Sequence, residues 1–205
     1  MEKKLEELTK VLDEQVFEAG HRPGDDPRFT CWKVGFDNDA GQRKITHTVI
    51  KSKPSVAVII KKGQQIALIR QFRSTSGQWH IEIPAGLVEV YKGETVLEAA
   101  IREAREESGL LVKDVHMLVK GPSLLDPSKS DEDYGVAVAT AYGHINQCLD
   151  AMEQIDSKVF WMNEDEVFSR LVSQHYEGKP FMDDLFMSGH SVYALLSYML
   201  RKYYK

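Results

Sequence analysis

Apolar and polar positions follow two rhythms along this chain. At the N-terminus Leu5, Leu8, Val11, Leu12 and Val16 recur every three to four residues, which predicts a helix over 2–19. His21-Arg22-Pro23-Gly24-Asp25-Asp26-Pro27 is a turn-rich break. From Phe29 to Val49, short strand-like pieces flank Asp37-Asn38-Asp39-Ala40-Gly41, a good hairpin turn, and predict a small antiparallel sheet. Past Pro54, the run Val56-Ala57-Val58-Ile59-Ile60 reads as a buried strand. Lys62-Gly63-Gln64 turns the chain, and Gln65 to Phe72 forms the hairpin partner. Trp79 to Pro84 is a further strand, which leads into a loop and a strongly helical stretch ending at Gly109. Val115 to Lys120, Gly135 to Tyr142 and Lys158 to Met162 read as strands, and Glu164 to Gln174 and Ser191 to Tyr204 as helices. No internal repeat or low-complexity tract interrupts the order. Strands and helices in this order predict an α/β/α sandwich with a mixed sheet, preceded by a small N-terminal antiparallel β region. The chain then divides into residues 1–53 and 54–205.

The most informative stretch is 86–110, GLVEVYKGETVLEAAIREAREESGL. Glu103, Glu106 and Glu107 fall at i, i+3 and i+4 on its helical part. At about 100° per residue they cover one arc of roughly 100° on the helix surface. Three like charges so close repel one another, and a hard divalent cation with oxygen ligands, Mg²⁺ or Mn²⁺, relieves the repulsion. Leu97, Ala100, Ile101 and Ala104 are spaced as a buried stripe on the opposite face. An ExxEE on a helix is ordinarily a solvated face. Here Gly93-Glu94 precedes the helix and Gly109 follows it as a left-handed cap, while Ile83-Pro84-Ala85-Gly86 upstream is a strand ending in a tight turn.

The arrangement resembles the Nudix box: a glycine, a spacer, Glu, seven residues, then Arg-Glu-(apolar)-x-Glu-Glu-x-Gly-(apolar). Gly86, Glu94, Arg102, Glu103, Ala104, Glu106, Glu107, Gly109 and Leu110 match it. The spacer, 87–93, is two residues longer than usual, and the extra length falls in the loop before the helix, where insertions are tolerated. The segment from Trp79 to Glu89, WHIEIPAGLVE, and Gln71-Phe72-Arg73 are similar to the ADP-ribose and ADP-sugar pyrophosphatase branch. The resemblance implies hydrolysis of the pyrophosphate bond of ADP-ribose or a related nucleoside diphosphate sugar, to a nucleoside monophosphate and a sugar phosphate. It implies Mg²⁺ or Mn²⁺ as cofactor, held by Glu103, Glu106, Glu107 and the backbone carbonyl of Ala85. Gly86, Glu94, Arg102 and Gly109 are structural in the motif, with Arg102 pairing a carboxylate such as Glu94. Arg73 is expected to contact the diphosphate, Glu82 the ribose or a metal, and Trp32 the base by stacking. Glu106 and Glu107 are expected in catalysis. For the general base the first candidate is Glu153, in the loop with Asp150 and Asp156, and the second is Glu132. The resemblance also implies a homodimer in which the N-terminal region crosses to the partner.

Composition narrows this reading. With 205 residues, 42% of them hydrophobic, the chain is an ordinary globular length. A net charge of −5 argues against nucleic-acid binding, which calls for a basic patch. Two cysteines, Cys31 and Cys148, make neither a disulfide framework nor a zinc motif. The N-terminus lacks the apolar core of a signal peptide, and no run approaches the roughly 18 apolar residues of a membrane span, so a cytoplasmic location is expected. Two other readings compete. One is the same chemistry on a dinucleoside polyphosphate, a nucleoside triphosphate or coenzyme A. The other is a binding module that has lost catalysis, which the retention of all three box glutamates disfavours.

Overall fold

The computed structural model describes residues 8–19, 29–38, 44–73, 76–119, 123–124, 129–145 and 158–204. These form two compact units. The first is 1–53 together with 123–133, and the second is 54–122 together with 134–205. The segment 123–133 therefore lies with the N-terminal unit, which a division at residue 53 alone does not include.

The first unit carries a three-stranded antiparallel sheet, β1 (Leu8–Ala19), β2 (Phe29–Asn38) and β3 (Lys44–Ser52), with β2 central. The hairpin from β2 to β3 pairs in unbroken register from Phe29↔Ser52 to Asp37↔Lys44. Residues 39–41 of the expected turn lie outside the described residues. The helix expected over 2–19 is a correction, because residues 8–19 are a strand. β1 pairs with β2 from Leu8↔Asn38 to Ala19↔Phe29, with register shifts between Lys10 and Leu12 and between Gln15 and Phe17. The two residues skipped by the register are Val11 and Val16. Each bulge inserts one residue and breaks the two-residue alternation of a strand. A strand bulged this often shows apolar spacings of three and four, which read as helical. Helix propensity amounts to a few tenths of a kcal/mol per residue at most positions, and a ten-rung ladder overrides it. Segment 129–131 adds to β3: Ile50 N–H donates to Lys129 O at 2.7 Å, and Ser52 N–H donates to Asp131 Oδ1 at 2.9 Å.

The second unit is built on an eight-stranded mixed sheet. Its strands are β4 (Ser55–Lys62), β5 (Gln65–Arg73), β6 (Gln78–Glu82), β7 (Ala85–Leu87), β8 (Leu110–Met117), β9 (Tyr134–His144), β10 (Lys158–Asn163) and β11 (Phe186–Met187). The main order is β11-β6-β5-β4-β9-β8, with β7 paired to β4 and β10 to β5. The β4–β9 and β6–β11 pairs are parallel and the others antiparallel. β4 is buried on both faces, so it reads as a continuous apolar run. Val56, Val58 and Ile60 pack under α1 (Val96–Ser108), through Ala99, Ala100 and Ala104. Ala57 and Ile59 pack on the other face under α2 (Glu164–Glu177) and α3 (Gly189–Tyr203), through Val167, Phe168, Leu171, Ala194 and Leu195. Helices thus cover both faces, the α/β/α arrangement expected from the strand and helix order. Among the described residues, no helix is long and apolar enough to cross a membrane.

At one end of the sheet a buried carboxylate joins three elements. Glu164, at the start of α2, accepts from Lys61 of β4 at 3.0 Å and from Lys202 of α3. Lys61 also donates to Tyr198 Oη on α3. Burial raises the Glu164 pKa, but the hydrogen bonds and charges of Lys202 and Lys61 outweigh it and leave the carboxyl below its ordinary value. A depressed folded pKa contributes stability that is complete above about pH 4.5 and is lost as pH falls through the folded value. Glu164→Gln is expected to destabilise by about 2 kcal/mol, since charge-assisted hydrogen bonds contribute roughly that much. Its unfolding midpoint at pH 7 falls by about 6 °C, and the deficit shrinks below pH 4. A deficit that stayed constant from pH 7 to pH 3 would assign the loss to packing instead of charge.

Candidate active site

The site forms where β6, one strand in from the sheet edge, turns through Ile83-Pro84 into β7, which meets α1. The turn is pinned on both sides. Ile83 N–H donates to Ser191 Oγ of α3 at 3.0 Å, and Val58 N–H of β4 donates to Pro84 O at 2.8 Å. Ala85 N–H then donates to Glu107 Oε2 at 2.8 Å. The longer spacer folds as a 3₁₀ turn over Val90–Lys92, closed by Gly93 N–H on Val90 O at 3.0 Å. Lys92 ties this turn to Glu89 at 2.8 Å.

α1 starts at a capping box that the sequence reading missed. The Thr95 hydroxyl accepts from the Glu98 N–H, and the Glu98 carboxylate accepts from the Thr95 N–H at 2.8 Å. The Thr-x-x-Glu spacing of residues 95–98 was its signal. The helix ends at Gly109, with φ +67°, a conformation in which a Cβ is disfavoured.

The buried face of α1 corrects the expected stripe. Ala100 and Ala104 are buried, but Leu97 and Ile101 are 36% and 44% exposed. The buried face holds Ala99, Ala100, Ala104 and Ser108 together with Glu103 and Glu107, only 7% and 3% exposed. Small alanines let the helix lie close to β4 and β7. The two carboxylates are tolerated inside because each finds a donor, Ala85 N–H for Glu107 and Arg102 for Glu103.

Arg102 ties the motif together. It donates to Glu94 at 2.7 Å, Glu103 at 2.6 Å, Glu106 at 3.0 Å and the Leu87 carbonyl at 2.8 Å. Burial pulls its pKa down, but Glu94, Glu103 and Glu106 more than offset this and hold it above the ordinary range. Glu94 also accepts from the Glu89 N–H at 2.7 Å. Its burial is outweighed by Arg102 and that backbone bond, so it ionises below the ordinary value. The loop before the helix is thereby fixed to the helix.

Gly86 approaches Glu103 so closely that no side chain fits. A Cβ there would lie 2.0 Å from Glu103 Oε1 and 2.2 Å from its Cδ. Among the described residues, no three His, Cys, Asp or Glu side chains converge on one point. Glu103 and Glu106 are engaged by Arg102, and Glu107 by Ala85. The donor set nevertheless fits a hard divalent ion. Its atoms are all oxygen, the three glutamates lie within one turn of one another, and the carboxylates Glu94, Glu103, Glu106 and Glu107 share this end of the helix with the single guanidinium bonded to three of them.

The remaining candidate residues fall in separate places. Arg73 and Glu82 lie near the turn and bond each other, Nε to Oε1 at 2.8 Å, with a second nitrogen on the other oxygen. Glu82 is buried. Trp32 lies in the first unit, where Lys51 Nζ sits 3.5 Å from its ring centroid and its indole N–H donates to Thr30 Oγ1 at 2.7 Å. Glu132, half-buried, is also in the first unit, with its N–H on Ser130 Oγ at 3.1 Å. Glu153, with Asp150 and Asp156, lies outside the described residues.

A pinned Pro-Ala-Gly turn and a carboxylate-lined helix held by one arginine define a class, and comparison with known proteins names it. The NUDIX domain model matches residues 51–185, and the chain belongs to that family. It is 37% identical over 126 residues to Nudix hydrolase 14, chloroplastic, of Arabidopsis thaliana, covering 59% of this chain and 38% of that one. It is 31% identical over 118 residues to the ADP-ribose pyrophosphatase of Mycobacterium tuberculosis, covering 57% and 56%. The chain thus spans little more than half the length, or less, of these two relatives. A solved structure described as an ADP compounds hydrolase superposes with a TM-score of 0.68 at 21% identity, covering 98% of both chains, and this likeness shows the fold.

Proposed function

We propose that this protein is a divalent-metal-dependent hydrolase of nucleoside diphosphate sugars, with ADP-ribose as the first substrate to test. The observation that carries the reading is the pair of buried glutamates, Glu103 and Glu107, seated against Gly86 and the Ala85 N–H. The name of the Mycobacterium tuberculosis relative supports the substrate class.

In this reading Glu103, Glu106, Glu107 and the Ala85 carbonyl hold Mg²⁺ or Mn²⁺. Bound there, the ion would supply Lewis-acid chemistry, offsetting phosphate charge and favouring attack of water on phosphorus. Arg102 and Glu94 hold the helix and the preceding loop in fixed relation. Glu153 is the first candidate to accept the proton from the attacking water, and Glu132 the second. Arg73 contacts the diphosphate through its planar guanidinium, which suits bidentate binding of phosphate oxygens. Glu82 occupies that fork in the structure, so in this reading substrate binding exchanges one anion for another. Trp32 stacks on the base. The first unit crosses to a partner in a homodimer, so removal of 1–53 is expected to abolish dimerisation and nucleotide binding together.

Arg73→Ala is expected to raise KM for the substrate about tenfold while leaving the metal requirement intact, since a charge-assisted contact contributes roughly that factor. An unchanged KM would remove Arg73 from the phosphate contact. The function is tested by incubating the protein with ADP-ribose and Mg²⁺ and separating the products. AMP and ribose 5-phosphate in equal amounts are expected. Absence of both, with Mg²⁺ and with Mn²⁺, would contradict the assignment.

A further inference from the structure

Between Arg73 and Glu82 the β5–β6 ladder places Gln71 opposite His80. Arg73 stands opposite Gln78, and Glu82 opposite Ile69, so their ion pair spans the Gln71–His80 rung on one face of the sheet. Gln71 is only 4% exposed, and its Oε1 is buried with no hydrogen-bond partner among the described residues. The Nδ1 of His80 is in the same condition.

The tautomer of His80 depends on its neighbour. Ser76 Oγ lies 3.2 Å from the Arg73 carbonyl and 2.9 Å from His80 Nε2. With the hydroxyl donating to that carbonyl, it accepts from Nε2–H; with the hydroxyl turned to Nε2, the ring proton sits on Nδ1 instead. In either tautomer Nδ1 is a buried polar atom that lacks a partner among the described residues. Two buried, unpartnered polar atoms therefore belong to one rung of the ladder, between the residues of the Arg73–Glu82 pair. Such a pair calls for neutral groups that can both donate and accept, as hydroxyls do.

We propose that Gln71 Oε1 and His80 Nδ1 form a subsite for adjacent sugar hydroxyls of the substrate, opened when Arg73 leaves Glu82 for the diphosphate. The proposal rests on the nucleoside diphosphate sugar reading above. It divides the labour along the two strands: Arg73 takes the phosphates, and Gln71 and His80 take the hydroxyls. Selectivity for a sugar-linked diphosphate over a plain one follows.

The test compares wild type, Gln71→Leu and His80→Phe. KM for ADP-ribose is expected to rise about tenfold in each variant, the loss typical of one hydrogen bond to a hydroxyl, with a smaller change in kcat. The unfolding midpoint of Gln71→Leu is expected not to fall, because an orphaned acceptor has been removed. Two further substrates locate the hydroxyls. The methyl ester of ADP lacks the distal sugar, and 2′,3′-dideoxy-ADP-ribose lacks the nucleoside hydroxyls. Whichever one wild type and variants handle alike names the ring that is held. An unchanged KM in both variants of an active enzyme would mean that a water partners these atoms; it would overturn the subsite and leave the function standing. If wild type hydrolyses no nucleoside diphosphate sugar, the function falls, and calorimetry with ribose 5-phosphate decides the subsite. Binding by wild type that Gln71→Leu loses supports it, while equal binding or none overturns it.

Discussion

Glu107→Gln is expected to lower kcat for nucleoside diphosphate sugars by about a thousandfold, at the upper end of what one lost electrostatic contact removes. The change deletes one negative charge from the helix face proposed to hold the metal. It keeps an oxygen to accept from the Ala85 N–H, a hydrogen bond that ties Glu107 to the Pro-Ala-Gly turn. Removing one of several neighbouring carboxylates also relieves repulsion in the protein without metal. The unfolding midpoint without added metal is therefore expected to stay level or rise. Mn²⁺ affinity, read by paramagnetic resonance, falls with activity. Turnover that persisted at wild-type level with Mg²⁺ would remove Glu107 from the metal site.

Gly86→Ala carries the second large effect, and it acts without replacing a carboxylate. The new methyl would sit 2.0 Å from Glu103 Oε1 and 2.7 Å from Oε2. Either Glu103 swings away and leaves Arg102, or β7 shifts from its pairing with β4 at Val56. Both displace a proposed metal ligand. Metal affinity is expected to fall by about 10- to 100-fold, as for other losses that disturb ligand placement. The double variant Gly86→Ala, Glu103→Ala separates the two routes. If the clash with Glu103 is the cause, the double variant is no worse than Glu103→Ala alone. Additive losses would place the damage in the β7 backbone.

Much of the second unit was legible because its signals are local. The unbroken run from Val56 to Ile60 marks a strand buried on both faces, and Gly63 and Gly109 mark turns. The glutamate spacing placed Glu103, Glu106 and Glu107 on one helix. What failed was partner-dependent. Residues 8–19 carry a helical spacing, but β2 captures them as a bulged strand, and the partner is not visible in the spacing. The α1 face was misjudged because hydrophobicity ranked Leu97 and Ile101 above Glu103 and Glu107. Burial of the two glutamates depends on Arg102, on Ala85 and on the space that Gly86 leaves, and none of these shows in a hydrophobic pattern. Likewise the sequence singled out Arg73 and Glu82 separately. Only the β5–β6 register reveals that they bond each other across Gln71 and His80.

The central claim is hydrolysis of a sugar-linked nucleoside diphosphate at this carboxylate helix. It is tested most directly by turnover of a substrate panel with Mg²⁺ and then Mn²⁺, using a phosphatase to reveal monoester products. The panel holds ADP-ribose, other nucleoside diphosphate sugars, dinucleoside polyphosphates, NADH, coenzyme A and nucleoside triphosphates. The account predicts that a nucleoside diphosphate sugar has the highest kcat/KM and that a chelator removes the activity. Highest turnover of a triphosphate or a dinucleoside polyphosphate would contradict the substrate class, and no turnover of any compound would contradict the enzyme.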